Sequence, residues 1–237
     1  MSLWGDRPYF ETINIFLPTC MVLPVMALGR LRASYRHGPH NMDVLSIIIG
    51  SLLGDASAEH RAGSTRIRFQ QEHTHSGYIQ HLWSLLFNLG YCSAQPPDIM
   101  TRKGAVDGEV RFIGRFSTFS FISFNWIWAG FYTNGIKGIP SWLPLYLTPL
   151  ALAIWIMDDG GATGYGLKLA TNSFTHEDCL RLCAILKDLY GLKVNPQGAG
   201  VPGQWHLYVH SESMEKLAQI VKPSMHPSMY YKLGRYA

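Results

Sequence analysis

Two aspartates, Asp55 and Asp159, stand 104 positions apart, each closing a stretch of large apolar residues. Read as nine-residue boxes, the first is Ile48-Ile49-Gly50-Ser51-Leu52-Leu53-Gly54-Asp55-Ala56. The second is Leu152-Ala153-Ile154-Trp155-Ile156-Met157-Asp158-Asp159-Gly160, and both carry aspartate at the eighth position. Gly50 and Gly54 are four apart and form a flat stripe on one helix face. Such a stripe lets two helix backbones approach closely, by a steric argument that holds outside membranes as well. Two helices packed side by side bring their C-terminal ends together, and each end delivers one carboxylate to a shared point. Paired carboxylates repel unless a cation lies between them. Mg²⁺ suits that place, since it takes oxygen ligands and keeps water and substrate phosphate in its shell. Orphan carbonyls at the helix ends can add ligands, and those of Gly54 and Asp158 are the candidates. Taken singly, Gly-Asp is an ordinary helix stop and Asp-Asp-Gly an ordinary turn; the duplication is what favours chemistry.

The elements that would carry these boxes also come in pairs. After each box follow alternating segments, Arg66-Ile67-Arg68-Phe69-Gln70 in one half and, more briefly, Leu167-Lys168-Leu169 in the other. Amphipathic helices come next, marked by Ile79, Leu82, Leu86 and Leu89, and by Leu182, Ile185, Leu186 and Leu189. Thr175, with Asp178 three residues on, reads as an N-cap with an acidic first turn. Gly90 and Gly191 stand where the two helices should stop. Arg111-Phe112-Ile113-Gly114-Arg115 matches His206-Leu207-Tyr208-Val209-His210 at an offset of 95, which also takes Lys137 to Lys232. Ser117 and Ser211, just beyond these strands, are read as opening the next helices. The order in each half is helix, strands, helix, strands, helix, an α+β organisation of two similar halves packed as one body. The halves are placed at residues 42–140 and 141–237, joined through the proline-rich stretch from Pro140 to Pro149, behind an N-terminal extension of residues 1–41.

Composition permits this and narrows the alternatives. The chain has 237 residues, 47% hydrophobic and 15% charged, which excludes a disordered chain. The net charge of +4 is compatible with a polyanionic partner. Cys20, Cys92, Cys179 and Cys183 form no CxxC pair or zinc spacing and read as small buried thiols. Ile13 to Leu28 is largely apolar, but Pro18 and Pro24 interrupt it and Arg30, Arg32 and Arg36 follow it. A targeting segment or upstream reading frame ranks above a membrane anchor there.

At this point the sequence resembles the LAGLIDADG homing endonucleases, particularly the monomeric organellar kind. The resemblance covers roughly residues 42–236 and is strongest from Tyr146-Leu147-Thr148-Pro149 through Trp155-Ile156-Met157-Asp158-Asp159-Gly160-Gly161, and at Met229-Tyr230-Tyr231-Lys232-Leu233. It implies two pseudo-symmetric αββαββα halves packed through the two boxed helices, with a saddle-shaped β surface on double-stranded DNA. It also implies a divalent-metal centre that cleaves phosphodiester bonds, with Mg²⁺ as the ion and Mn²⁺ as its substitute. Asp55 and Asp159 would be the metal ligands, and Lys137 and Lys232 stand where the family places lysines near that centre. A monomer with no obligate protein partner is implied, in an organelle, the mitochondrion ahead of the chloroplast. The sequence departs from the pattern in having Ile154 and Asp158 opposite Gly50 and Gly54, and Ala56 where the first box should end in glycine.

DNA contact is expected from strand faces. Arg66, Arg68 and Gln70 alternate and share one face, as do Arg111 and Arg115, and His206, Tyr208 and His210; Lys168 is a further candidate. Arg and Gln side chains can read guanine and adenine edges in the major groove, although any one of them also fits an ordinary solvent-facing sheet. His73 and His75 read as loop or surface histidines, with no third metal ligand in view. The principal rival function is an RNA maturase on the same fold, with intron RNA as partner. A transcription regulator on a decayed copy would usually lack the acidic pair, and a membrane protein would need a span that the serine-interrupted stretch Phe116 to Tyr132 does not provide.

Overall fold

The computed structural model describes residues 32–103 and 110–237. Cys20 and the apolar stretch Ile13 to Leu28 lie outside the described residues. Among those described, no helix is long and apolar enough to cross a membrane.

The first half begins with α1 (Met42–Leu53), capped by Asn41, whose side chain accepts the Asp43 N–H at 2.7 Å. Strands β1 (Ser57–Arg61) and β2 (Ser64–Glu72), helix α2 (Ser76–Asn88), and strands β3 (Asp98–Lys103) and β4 (Val110–Ser117) follow. A short helix α3 (Asn125–Phe131) and the small ribbon β5 (Tyr132–Thr133) and β6 (Ile136–Lys137) complete it. A turn of helix, α4 (Leu143–Tyr146), leads to α5 (Pro149–Asp159). Then come β7 (Gly160–Thr163), β8 (Gly166–Ala170), α6 (His176–Tyr190), β9 (Val194–Gly198), β10 (Trp205–Val209) and α7 (Ser211–Val221), with 3-10 turns to the C-terminus.

The duplication is carried into the topology. The two four-stranded sheets have the orders β1-β2-β4-β3 and β7-β8-β10-β9, antiparallel throughout. Alternation sends Ile67 and Phe69, and Leu167 and Leu169, into the core, while Arg66, Arg68, Gln70 and Lys168 turn away from it. The Phe69 ring stacks on that of Phe116 at 4.7 Å.

Helices α1 and α5 pack backbone against backbone at the centre. A β-carbon on Gly50 would lie 2.4 Å from the Ala151 carbonyl oxygen and 2.9 Å from the Ile154 Cβ. Ile154 thus fills the space that Gly50 leaves open, and the asymmetry of the two boxes is complementary packing. At the opposite end Thr148 caps α5, accepting from the Ala151 N–H at 3.1 Å, and donates its hydroxyl to Ser46 of α1 at 2.7 Å.

Thr175 caps α6, accepting the Asp178 N–H at 3.1 Å, and Gly191 closes it in the left-handed region at φ 62°. Gly90 plays the corresponding part after α2 at φ 80°. Within α2 and α6 the apolar stripe is buried at Ile79, Leu82, Leu86, Leu182 and Leu186. Leu89 and Leu189, at the last turn, face solvent. Ser211 opens α7 as expected, but Ser117 does not open a helix. It pairs with Arg68 as the last residue of β4, and α3 starts only at Asn125. The described end of the N-terminal extension is integral to the first half. The Arg36 guanidinium lies 4.7 Å over the Phe119 ring and donates to the Ser120 carbonyl at 2.9 Å. His40 is wedged between Tyr91 and Ser123 at 2.9 and 2.8 Å.

Candidate active site

The site is built where α1 and α5 end. Gly54, the C-cap of α1, faces Asp158 so closely that a β-carbon would sit 2.5 Å from the Asp158 Cβ. Asp55 follows immediately, and Asp159 is the last residue of α5. Asp55 Oδ2 accepts from Gln71 Nε2 at 2.8 Å, and the same amide nitrogen donates to Asp158 Oδ1 at 2.9 Å. Tyr78 donates its hydroxyl to Asp158 Oδ1 at 2.9 Å, and the Asp55 N–H reaches Asp158 Oδ2 at 3.4 Å.

The two lysines occupy matching stations. Lys137 Nζ donates to the Gly54 and Ala56 carbonyls, each at 3.4 Å. Lys232 Nζ donates to the Asp158 carbonyl at 2.8 Å and to that of Met157. Each therefore satisfies unpaired carbonyls at or beside one helix C-terminus, where the helix dipole also favours a cation. The carbonyls of Gly54 and Asp158, expected to serve as metal ligands, are lysine acceptors in this structure.

Three carboxylates and two ammoniums form one cluster, in which Asp158 and Lys232 are buried, Asp159 and Lys137 half-buried and Asp55 open to solvent, so the formal charge is one negative. Burial drives the shifts. It raises Asp55 and places Asp158 well above the ordinary carboxylate range, where the charge of Asp55 adds to the effect. Burial, then the Asp55 charge, pushes Asp159 up to about 7. Burial lowers Lys137 and Lys232, against the pull of all three carboxylates. A cluster of this kind gains from a divalent cation, which offsets both desolvation and mutual repulsion. The donor set is hard carboxylate oxygen, which fits Mg²⁺ or Mn²⁺. Among the described residues no three His, Cys, Asp or Glu side chains form a closed metal cage. An ion here would complete its shell with water and substrate.

The expected DNA-facing residues are largely engaged with neighbours. Arg66 and Arg68 both pair with Glu59 of the adjacent strand, Arg66 at 2.7 Å. Arg115 donates to Gln70 Oε1 at 3.4 Å, and Arg111 lies 3.6 Å from Glu72. In the second sheet Lys168 is exposed beside Tyr208, its register partner. His210 Nε2 lies 2.8 Å from Asn195 Oδ1. His206 is buried, with Nε2 3.2 Å from Gln197 Oε1. The two faces thus differ in character, one an arginine–carboxylate lattice and the other histidine, tyrosine and amide.

Gln71, Tyr78 and His75 belong to the site and were not anticipated there. Gln71 is the polar member of the buried phase Ile67, Phe69, Gln71, an alternation that a sequence can display. Tyr78 is fully buried on the apolar face of α2, where its hydroxyl needs a partner. His75, expected in a loop or at the surface, lies in the 3-10 turn His73–His75. Its Nδ1 is 3.4 Å from Gln71 Oε1 and its Nε2 is 3.1 Å from the Tyr231 hydroxyl.

Two like α+β halves that bring one aspartate each to the ends of a central helix pair define a class of proteins with a duplicated fold. Residues 45–217 match the LAGLIDADG DNA endonuclease family, and the chain belongs to it. It is 45% identical over 200 residues to the cytochrome b mRNA maturase bI2 of Debaryomyces hansenii, covering 84% of this chain and 76% of that one. It is 47% identical over 208 residues to the protein of the same name from Saccharomyces cerevisiae, of which the match spans 49%. An intron-encoded endonuclease, ai4 of Dictyostelium discoideum, is 40% identical over 148 residues, 61% of this chain and 93% of that protein. Among solved structures, the homing endonuclease I-WcaI bound to its DNA recognition sequence aligns with a TM-score of 0.74 at 26% identity, covering 83% of this chain and 88% of that chain.

Proposed function

We propose that the protein is a site-specific double-stranded DNA endonuclease of the homing type, acting as a monomer with Mg²⁺, or Mn²⁺ in its place, held by Asp55 and Asp159. The observation that carries this reading is the delivery of two aspartates and two lysines, one pair from each half, to a single cluster. The family, and the DNA-bound state of the I-WcaI relative, support it. A divalent cation, when bound, lowers the pKa of a coordinated water and stabilises the leaving alkoxide. Asp55 and Asp159 bind and orient that ion rather than carry protons. Lys137 and Lys232, already anchored on the helix-end carbonyls, neutralise charge that develops on the phosphate. Arg66, Arg68, Gln70, Arg111 and Arg115 on one sheet, and Lys168, Tyr208 and His210 on the other, form the DNA contacts, with the buried His206 supporting Gln197 behind them. The names of the yeast and Dictyostelium relatives support an organellar, mitochondrial setting.

A second reading, an intron RNA maturase, is favoured by one specific observation: the two yeast relatives at 45% and 47% identity are named as mRNA maturases. The test is cleavage of a randomised duplex library with Mg²⁺ by the wild-type chain and by Asp55→Asn and Asp159→Asn. The wild type should enrich one cleaved sequence, and each variant should bind that sequence without making double-strand breaks. Undiminished cutting by either variant removes that aspartate from the assignment. An intact library beside tight binding of its own intron RNA decides for the maturase.

A further inference from the structure

We propose that Asp158 is a positioning residue that orients the Asp55 carboxylate through Gln71, and that the two half-centres are unequal for this reason. The inference rests on the nuclease reading above. Asp158 belongs to the second half, yet its side chain serves the first. It meets the end of α1 at the Asp55 N–H, β2 at Gln71 and α2 at Tyr78. Gln71 Nε2 bridges two carboxylates, at 2.8 Å from Asp55 Oδ2 and 2.9 Å from Asp158 Oδ1, while its Oε1 faces His75. With the Gln71 amide held in one orientation, the Asp55 carboxylate is held as well.

Nothing returns the arrangement. Gly54, which faces Asp158 from the first half, has no side chain, and one added there would collide with Asp158. Among the described residues no hydrogen bond reaches the Asp159 carboxylate. One aspartate is therefore fixed before substrate arrives, and the other is oriented only when ligands bind. The tie is costly to remove. Gln71 and Tyr78 are buried, and without Asp158 the Tyr78 hydroxyl and one of the two Gln71 Nε2 hydrogens lose their acceptor, so the amide is no longer held in one orientation and the Asp55 carboxylate turns with it.

The experiment uses the duplex recovered from the library, labelled with a different fluorophore on each strand, under single-turnover conditions with saturating full-length protein and Mg²⁺. Both strands are read on the same molecules, so partial unfolding lowers both rates alike and leaves their ratio unchanged. In Asp158→Ala the ratio of the two strand-cleavage rates should move by about tenfold from the wild-type value, with a nicked intermediate accumulating. Asp158→Asn keeps one oxygen for Gln71 and Tyr78 but turns an amide toward the Asp55 N–H. It should show a smaller shift in the same direction, a partial rescue, and it decides the question if the alanine variant yields no folded protein. A strand ratio equal to wild type in the folded variants overturns the role of Asp158, whatever the absolute rates. A wild-type chain that cleaves nothing overturns the nuclease reading instead.

Discussion

Gly54 and Asp158 are in contact across the helix pair, with room between them for a hydrogen and nothing larger: a β-carbon on Gly54 would stand 2.8 Å from Asp158 Oδ2. Gly50 is equally confined by the Ala151 carbonyl at 2.4 Å. Neither clash is with the far end of a flexible chain, so the helices themselves must separate. Gly50→Ala and Gly54→Ala should each lower stability by about 1–3 kcal/mol, the usual cost of overpacking, read as a drop in the midpoint of urea unfolding. An unchanged midpoint in both would mean that α1 and α5 do not meet backbone to backbone.

Asp159 sets a pH dependence whose sign follows from its raised value of about 7. Without metal, the folded chain holds a proton there that the unfolded chain releases at the ordinary carboxylate pKa. Stability from this group is therefore present at low pH and is lost as pH rises toward 7, after which it levels off. A divalent cation competes with that proton. Added Mg²⁺ should raise the melting temperature more at pH 8 than at pH 6, and at subsaturating Mg²⁺ the cleavage rate should climb through pH 7. The melting-temperature trend should flatten in Asp159→Asn. A metal effect equal at the two pH values would show that this carboxylate does not bind the ion.

Glu59 restrains the first sheet's cations. It pairs with Arg66 and Arg68 at once, and its own pKa is lowered by those partners despite opposing burial. Glu59→Gln removes the charge that holds both guanidiniums and should strengthen binding to random-sequence duplex. Arg66→Ala and Arg68→Ala should weaken binding, each lowering the slope of log K against log salt by about one where the contact is to phosphate. Fluorescence anisotropy over a salt series measures all three. If Glu59→Gln leaves random-sequence affinity and its salt slope at the wild-type values, the pair is a surface ion pair with no bearing on DNA.

The duplicated frame was legible because it is written in spacing. Asp55 and Asp159, the lysines at an offset of 95, and the alternation around Ile67 and Leu167 are each visible along one segment. The structure brings the four site side chains together and gives both sheets the same strand order. What could not be read depends on contacts between segments. The second oxygen-bearing hub, Asp158 with Gln71 and Tyr78, exists only once α5 lies on α1 against Gly54. Glu59 was invisible as a partner because its place opposite Arg66 is a matter of strand register. Arg36 and His40 likewise read as part of a detached extension until Phe119, Ser120, Tyr91 and Ser123 were brought beneath them. Ser117 misled because a serine after a strand looks like a helix cap, whereas pairing with Arg68 keeps it in the sheet.

Lys232 and Lys137 separate structural from chemical roles by their geometry. Lys232 is 5% exposed and bonds the Asp158 carbonyl at 2.8 Å, whereas Lys137 reaches its two carbonyls only at 3.4 Å. Replacing Lys232 by Met preserves length and leaves the Met157 and Asp158 carbonyls without that donor, at a cost of about 1–3 kcal/mol. Lys137→Met breaks weaker bonds and should cost less. On the proposed mechanism, loss of either positive charge should slow single-turnover cleavage by about a hundredfold, on the scale of removing one electrostatic donor from a reacting centre. Unfolding midpoints should therefore rank Lys232→Met below Lys137→Met, while the cleavage rates of the two fall together. If rate instead follows stability in both variants, the lysines act as helix caps and take no part in the phosphodiester chemistry.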